Sequence, residues 1–365
     1  MPRYAHANVM TGARRMEVRE LPLPELSADD GLLKVEAAGV CGSDVKSFFS
    51  DLSPRVLGHE NVGRIEAIGA SAARRWGLAE GDRVVLEEYL PCGHCNYCRS
   101  SEFRLCLDSD PSTNPAAIRY GRTPVTTAPA LWGGFSDFLY LHPRTVAHKL
   151  PEHVSAVEGT LALPISNGYE WTYREGRVGP GDTVLVIGPG QQGLGCVIAA
   201  KAAGAAKIIV TGLPSDKERL DVARQLGADH TLFADDPDLR EQISALTGGD
   251  LVDVVIDTAA GNLATVSLAL DVAAKRGRVI AAAATMKPLG ELDFYKVNRK
   301  YLSLHGVRGH SYAAVEWAID LIAQGRHPLH LMCSMEVSVD HAEQAILGTA
   351  GELDIPVIHA SVVPA

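Results

Sequence analysis

The chain has 365 residues, enough for two domains of ordinary size. It is 46% hydrophobic and 21% charged, with 34 basic against 44 acidic residues and a net charge of −10. Lacking a clustered basic face it is not expected to bind nucleic acid. Lacking an apolar run of about 18 residues it is not expected to span a membrane. The opening Met1-Pro-Arg-Tyr-Ala-His6 has no basic-then-apolar signal pattern, so the expected address is the cytoplasm.

Residues 1–160 read as short strands separated by many turns. Gly31-Leu-Leu-Lys-Val-Glu-Ala-Ala-Gly39 alternates as a half-buried strand does, and Asn61–Gly69 is similar. Gly81-Asp-Arg-Val-Val85 reads as a turn entering a strand. Cys92, Cys95, Cys98 and Cys106 follow at C-x₂-C-x₂-C-x₇-C spacing and make up four of the seven cysteines in the chain. Short loops of this spacing fold four thiols onto one tetrahedral zinc. The competing readings are paired disulfides, which need an oxidising compartment, and a redox C-x-x-C, which acts from the start of a helix. Four thiolates leave no open position, so this zinc is structural. The stretch from Asp108 to Leu131, rich in Pro, Thr, Ser and Ala, reads as a long loop of the kind that often carries function.

The character changes after about Val178, where strand and helix patterns alternate. Strands are predicted at Thr183–Ile187, Lys207–Thr211, Leu251–Thr258 and Gly277–Ala284, with helices at Leu194–Ala203, Asp216–Leu226 and Asn262–Ala274. Apolar strands between helices indicate a parallel sheet covered on both faces. The tail carries one amphipathic helix near Ala313–Gln324 and a short run at Ile355–Ile358. This order suggests a domain inserted into another, with the tail returning to the first.

The first of these strands runs into Gly188-Pro-Gly190-Gln191-Gln192-Gly193 and then a helix, the context a dinucleotide site requires. Gly188 permits the tight turn, Gly190 lets pyrophosphate approach the backbone, and Gly193 allows close helix–strand packing. The helix N-terminus offers N–H groups and positive charge to phosphate. An NAD site usually carries Asp or Glu about twenty residues on, where this chain has Gly212. NADP is therefore slightly favoured over NAD, with Ser215, Lys217 or Arg219 to bind the 2′-phosphate and Asp216 as the alternative ribose acceptor.

Gly39-Val-Cys41-Gly-Ser43-Asp44, Gly58-His59-Glu60, the four-cysteine lobe and the Gly-rich turn stand in the order seen in zinc-containing medium-chain alcohol dehydrogenases. Gly176–Ile187 and Leu226-Gly-Ala-Asp229 resemble the same family, and the likeness covers residues 8–360. It points to the sorbitol/threonine-dehydrogenase-like branch of the medium-chain dehydrogenase/reductases. The implied fold is α/β: a GroES-like β-rich catalytic domain over 1–165 with its zinc lobe at 91–107, a Rossmann NAD(P) domain over 166–304, and a return over 305–365. The resemblance implies hydride transfer between NAD(P) and an alcohol or carbonyl substrate whose oxygen is polarised by a second, catalytic zinc. Two zincs per chain are expected. Cys41 and His59 would be ligands of the catalytic one, with Glu60 a ligand or a close neighbour.

Two departures from the family stand out. Many members carry Cys or Glu as a further zinc-site residue where this chain has Leu163, which cannot bind metal. The expected set is then Cys41, His59, Glu60 and a water, the alternative being a weakened or empty site. Ser43 matches the position that shuttles the alcohol proton, but Lys46 stands where members often place the outer histidine of that relay. Asp44 is expected to orient a ligand. Phe48, Phe49, Trp132 and Leu163 are candidates to line an apolar substrate cleft suited to hydrophobic or cyclic alcohols, while nothing in the sequence places Arg119, Arg122 or Arg308 there. The family implies a homodimer or homotetramer, with Gly277–Ala284 and the following Thr-Met as a candidate edge. Two rival readings remain: a zinc-independent quinone or enone reductase, and a catalytically silent nucleotide-binding protein.

Overall fold

In the computed structural model, which describes residues 4–259, 263–282 and 290–364, contacts divide the chain into two units. One is Met1–Leu163 with Val315–Ala365, the other Pro164–Ala314. In the second unit, Val184–Val186, Ile208–Val210 and Val254–Ile256 are fully buried. Strands this apolar need cover on both faces, which alternating helices supply. The helices are Gln191–Ala202, Lys217–Leu226, Leu239–Leu246, Leu263–Val272 and Phe294–Lys300.

Six parallel strands lie in the order His230–Phe233, Lys207–Gly212, Thr183–Ile187, Val252–Asp257, Ala273–Ala281, Ser303–Gly306. Counted along the chain this is 3-2-1-4-5-6, the doubly wound order whose ligand position lies where the winding reverses, beside Thr183–Ile187. The strand His230–Phe233 and the helix Leu239–Leu246 are additional to the sequence reading. That strand has four residues on the sheet edge, none of them fully buried, so its apolar pattern is weak.

Two expectations about this unit change. The strand foreseen at Gly277–Ala284 begins at Ala273 and pairs on both sides, so it lies inside the sheet and is not an edge. Ala283 and Ala284, the following Thr285 and Met286, and Asn262 at the head of the predicted helix lie outside the described residues. The edge strand on that side of the sheet is Ser303–Gly306, exposed throughout.

The first unit is built on a seven-stranded sheet ordered Cys333–Ser338, His359–Val363, Gly31–Gly39, Glu60–Ile68, Arg83–Leu86, Ala147–Lys149, with Phe138–Leu141 also pairing Gly31–Gly39. The alternation of Gly31–Gly39 packs Leu33 and Val35 with Trp132 and Tyr120 on one side, and Ala38 and Val40 with Phe48 and Phe135 on another. The final strand is His359–Val363, not Ile355–Ile358. Pro356 has no N–H to give a ladder, and Ile355 is exposed. Residues 108–131 hold no helix or strand of regular length and are pinned by turns and by the bridges of Arg119 with Tyr89 and Pro124 with Arg55.

Candidate active site and metal centres

Cys92, Cys95, Cys98 and Cys106 present sulfurs that all lie within 4.8 Å of one another. The Cys92 and Cys95 amides donate to the sulfurs of Cys106 and Cys92, each at 3.3 Å. Backbone hydrogen bonds at Cys98 and Leu107 hold the Cys95 thiol down to about 6. Burial and the neighbouring thiols instead push Cys98 up. Four thiols cannot all ionise this close together without a cation between them. The donor set therefore fits a closed, tetrahedral zinc.

Cys41, His59 and Glu60 form a second group, with one ligand atom of each within 4.8 Å of the others. Cys41 caps the short helix Gly42–Phe48, and Glu60 opens the strand Glu60–Ile68 directly after His59. His59 and Glu60 are buried. Asp44, fully buried, takes the Cys41 amide on Oδ2 at 3.0 Å and places Oδ1 3.4 Å from His59 Nδ1. Asp44 therefore supports His59 from the Nδ1 side of its ring.

Charge crowds this site. Burial acts to lower His59, but the Asp44 and Glu88 carboxylates outweigh it and raise the imidazole well above its usual value. Burial acts to raise Cys41, but His59 outweighs it and draws the thiol down. Burial, and then the Cys41 thiolate, push Glu60 well above the carboxylate range. A thiolate and a carboxylate beside a histidine in a water-poor place fit a divalent cation, which would replace the protons they otherwise share.

The remaining predicted residues sort clearly. The Ser43 hydroxyl oxygen is buried beside this group, close enough to Cys41 to help draw its thiol down. Lys46 is exposed on the same helix. Leu163 is buried and contributes no ligand. Phe48 and Trp132 are core residues, each 2% exposed or less, so they are not surfaces for a substrate. Phe49 is exposed beneath the Arg14 guanidinium. Arg119 and Arg122 each approach Glu88 at 3.5 Å, and Glu88 Oε2 is 4.0 Å from His59 Nε2. Arg308 lies in the other unit.

Two residues near the metal group escaped the sequence reading. One is Glu88, which with Glu87 follows the end of the strand Arg83–Leu86. The other is His359, nearly 300 positions along the chain from Glu60, whose Nδ1 lies 3.8 Å from Glu60 Oε2.

In the dinucleotide turn Gly188 has φ +96, and a Cβ on Gly193 would sit 1.9 Å from the Gly188 carbonyl oxygen, so both positions require glycine. Nothing lies within 4 Å of a Cβ placed on Gly190, the residue that caps the helix Gln191–Ala202. Gln191 is buried and Gln192 half-buried on its first turn. At Gly212 a Cβ would meet Pro189 Cγ at 2.9 Å and Asp216 Cβ at 3.1 Å. Asp216 Oδ2 accepts the Leu213 amide at 2.9 Å, and Oδ1 pairs with Arg219 at 3.0 Å. Ser215 and Lys217 flank Asp216 and are exposed. Beside these residues is a cavity of about 490 Å³ lined by Leu213, Asp236, Leu239, Arg240, Thr265 and Leu268 among others. Of these the sequence reading named none as a contact.

A β-rich unit with two zinc-type donor sets, and a doubly wound unit with a Gly-rich turn, define a zinc- and nicotinamide-dependent oxidoreductase. Residues 27–152 match the alcohol dehydrogenase GroES-like domain and residues 193–324 the zinc-binding dehydrogenase domain. The chain belongs to the zinc-containing medium-chain alcohol dehydrogenases. A probable alcohol dehydrogenase of Mycobacterium tuberculosis is 37% identical over 98% of both chains. Sorbitol dehydrogenase of Bacillus subtilis is 29% identical over 95% of both. Among solved structures, an alcohol dehydrogenase of Thermus sp. ATN1 superposes with a TM-score of 0.84 at 28% identity, covering 99% of this chain and 100% of that one. The protein is thus a zinc-dependent alcohol oxidoreductase acting on a small molecule. Among the described residues no helix is long and apolar enough to cross a membrane.

Proposed function

We propose that Cys41, His59 and Glu60 hold the zinc at which an alcohol or carbonyl substrate reacts, and that Cys92, Cys95, Cys98 and Cys106 hold a second zinc with no part in the chemistry. The observation that carries this reading is the buried convergence of the three donors with Asp44 behind His59. When bound, zinc supplies a Lewis acid for the substrate oxygen, and the nicotinamide supplies the two-electron partner. Asp44 orients the His59 ring and fixes which nitrogen faces the metal. The Ser43 hydroxyl, buried beside Cys41, relays the substrate's hydroxyl proton by accepting it while passing its own on. Lys46, exposed three residues on, is the proposed outer end of that relay, with bulk water or a ribose hydroxyl as the alternative exit. The test is metal content against turnover. Two zincs per chain, with Cys41→Ser losing one zinc and the dehydrogenase activity, support the reading. Full activity with one zinc overturns it in favour of a zinc-independent reductase.

The nicotinamide is read as NADP over NAD, with Gly188, Gly190, Gln191, Gln192 and Gly193 at the pyrophosphate. Gly212 offers the ribose no carboxylate, and Asp216 is already engaged by Leu213 and Arg219. Arg219 with Ser215 and Lys217 would then receive the 2′-phosphate. For substrate, an apolar Leu163 in place of a polar zinc-site residue favours hydrophobic or cyclic alcohols, in contrast to the polyol named for the Bacillus relative. A panel in which polyols outrun cyclic alcohols overturns that preference. The exposed strand Ser303–Gly306, with Tyr301 81% exposed beside it, is the proposed surface for a second copy of the chain. Light scattering on a Leu304→Lys variant tests it, with loss of the oligomer expected.

A further inference from the structure

We propose that Arg122 is a positioning residue that ties the Ser43 main chain, and with it the Ser43 hydroxyl, to the His59 side of the metal group. This rests on the reading that Cys41, His59 and Glu60 hold zinc and that Ser43 relays the substrate's proton.

The long loop of residues 108–131 reaches the metal group through one tight turn. Thr123 Oγ1 accepts the Arg119 amide at 2.9 Å and donates to the Arg119 carbonyl at 2.8 Å, and the Thr123 amide donates to that carbonyl at 3.2 Å. Within the turn, Gly121 has φ +70. A Cβ there would lie 3.1 Å from the Gly58 carbonyl oxygen and 3.2 Å from His59 Cβ. A side chain would strain the turn and press it off the segment that carries His59. The turn is therefore seated directly on Gly58-His59.

The next residue leaves that seat toward the other end of the group. Arg122 Nη1 donates to the Ser43 carbonyl at 3.2 Å and to Ser47 Oγ at 2.9 Å. Ser47 Oγ in turn donates to the same Ser43 carbonyl at 3.0 Å. Arg122 Nε lies 3.5 Å from Glu88 Oε1, and Glu88 Oε2 lies 4.0 Å from His59 Nε2. The Arg122 carbonyl accepts from Arg55 at 2.7 Å, which anchors its main chain. One planar guanidinium thus spans from the helix Gly42–Phe48 to the carboxylate beside His59. The ammonium of a lysine is a single compact centre and cannot present two separated edges in this way.

That helix has seven residues, too few to hold its own shape, so its place is set by what it is tied to. Asp44 ties its Cys41 end, through the Cys41 amide and His59 Nδ1. Arg122 ties Ser43 and Ser47. A relay hydroxyl works only within hydrogen-bond reach of the proton it takes, and small misplacements are costly in rate. Loss of Arg122 should therefore slow turnover and spare the metal.

The experiment measures kcat, KM, the solvent deuterium isotope effect and zinc content for Arg122→Ala, Arg122→Lys and Ser47→Ala, and for Arg122→Ala in a Ser43→Ala background. In Arg122→Ala we expect kcat to fall about 10–100-fold with little change in KM. The solvent isotope effect should rise above the wild-type value, because the relay has become the slow step. Zinc should stay at two per chain. Arg122→Lys should recover little of the loss. Ser47→Ala removes a single contact and should show the same pattern at about two- to tenfold, which keeps the test open if Arg122→Ala does not fold. With Ser43→Ala in place, removing Arg122 should cost nothing further. An equal loss with and without Ser43 overturns the proposal. So does a lowered kcat with an unchanged solvent isotope effect, wild-type kcat in Arg122→Lys, or loss of the second zinc in Arg122→Ala. A wild-type protein with one zinc per chain defeats the metal reading itself, and the role of Arg122 falls with it.

Discussion

The Asp44 carboxylate stands 3.4 Å from His59 Nδ1 while its other oxygen takes the Cys41 amide. One buried side chain therefore fixes two of the three donors in the second metal group. Asp44→Asn keeps the shape and removes the charge. We expect zinc affinity at this group to fall about 10–100-fold, with the zinc of the cysteine lobe retained. Metal analysis after gel filtration reads both sites. Two zincs per chain in the variant at wild-type affinity would refute the orienting role.

The cysteine lobe makes a prediction of its own once its metal is removed. Backbone N–H groups hold Cys95 down to about 6, so at neutral pH it is a thiolate, while burial keeps Cys98 a thiol. In chelator-treated protein, iodoacetamide should label Cys95 first and Cys98 last, as read by peptide mass spectrometry. Because the Cys95 value is lowered, its labelling persists down to about pH 6 and falls below it. Equal labelling of the two would contradict this ordering.

Cofactor preference turns on Arg219 and Gly212. Arg219→Ala should raise the NADP KM by roughly tenfold, a loss typical of one charge-assisted contact, and leave the NAD KM nearly unchanged. Gly212→Asp is the obvious reversal toward NAD, yet its Cβ meets Pro189 and Asp216 at about van der Waals overlap. That crowding should cost about 1–3 kcal/mol of stability. Denaturant melts of the variant, alongside KM values for both nucleotides, check the two claims separately.

His148 supplies a pH-dependent contribution to stability. Its ring is fully buried between Glu87, at 3.3 Å, and Glu316. Burial lowers its pKa, but the two carboxylates outweigh burial and raise it above 6.5. A raised histidine stabilises the fold fully below its unfolded value and loses that contribution as pH rises through the folded one. Glu316→Gln should therefore lower the thermal midpoint at about pH 6, with the gap to wild type closing by about pH 9. A gap that is constant across this range would exclude protonated His148 as its source.

Much of this protein was legible in local spacing. Cys92 to Cys106 lie within fifteen residues, so their convergence is decided by short loops, and the structure brings their sulfurs together as the spacing implies. Thr183–Ile187 followed by Gly188–Gly193 is equally local, because an apolar strand, a glycine turn and a helix start are neighbours in the chain. Periodicity failed where the signal was short or ambiguous. It missed the four-residue edge strand His230–Phe233, and it mistook the interior strand Ala273–Ala281 for an edge, since an apolar run looks alike in both places.

What the sequence by itself determined is therefore what neighbouring residues can dictate: the cysteine lobe, the dinucleotide turn, and, by resemblance, the pairing of Cys41 with His59 and Glu60. The surroundings that give those groups their chemistry were decided only by the tertiary structure. Phe48 and Trp132 became core because the sheet folds over them, and Glu88 reached His59 between two arginines from the long loop. His359 came beside Glu60 because the last strand pairs with Gly31–Gly39 across a glycine that leaves room for both. Such contacts depend on which strands lie side by side, and side-by-side order is set by packing over hundreds of residues, not by the spacing of a motif.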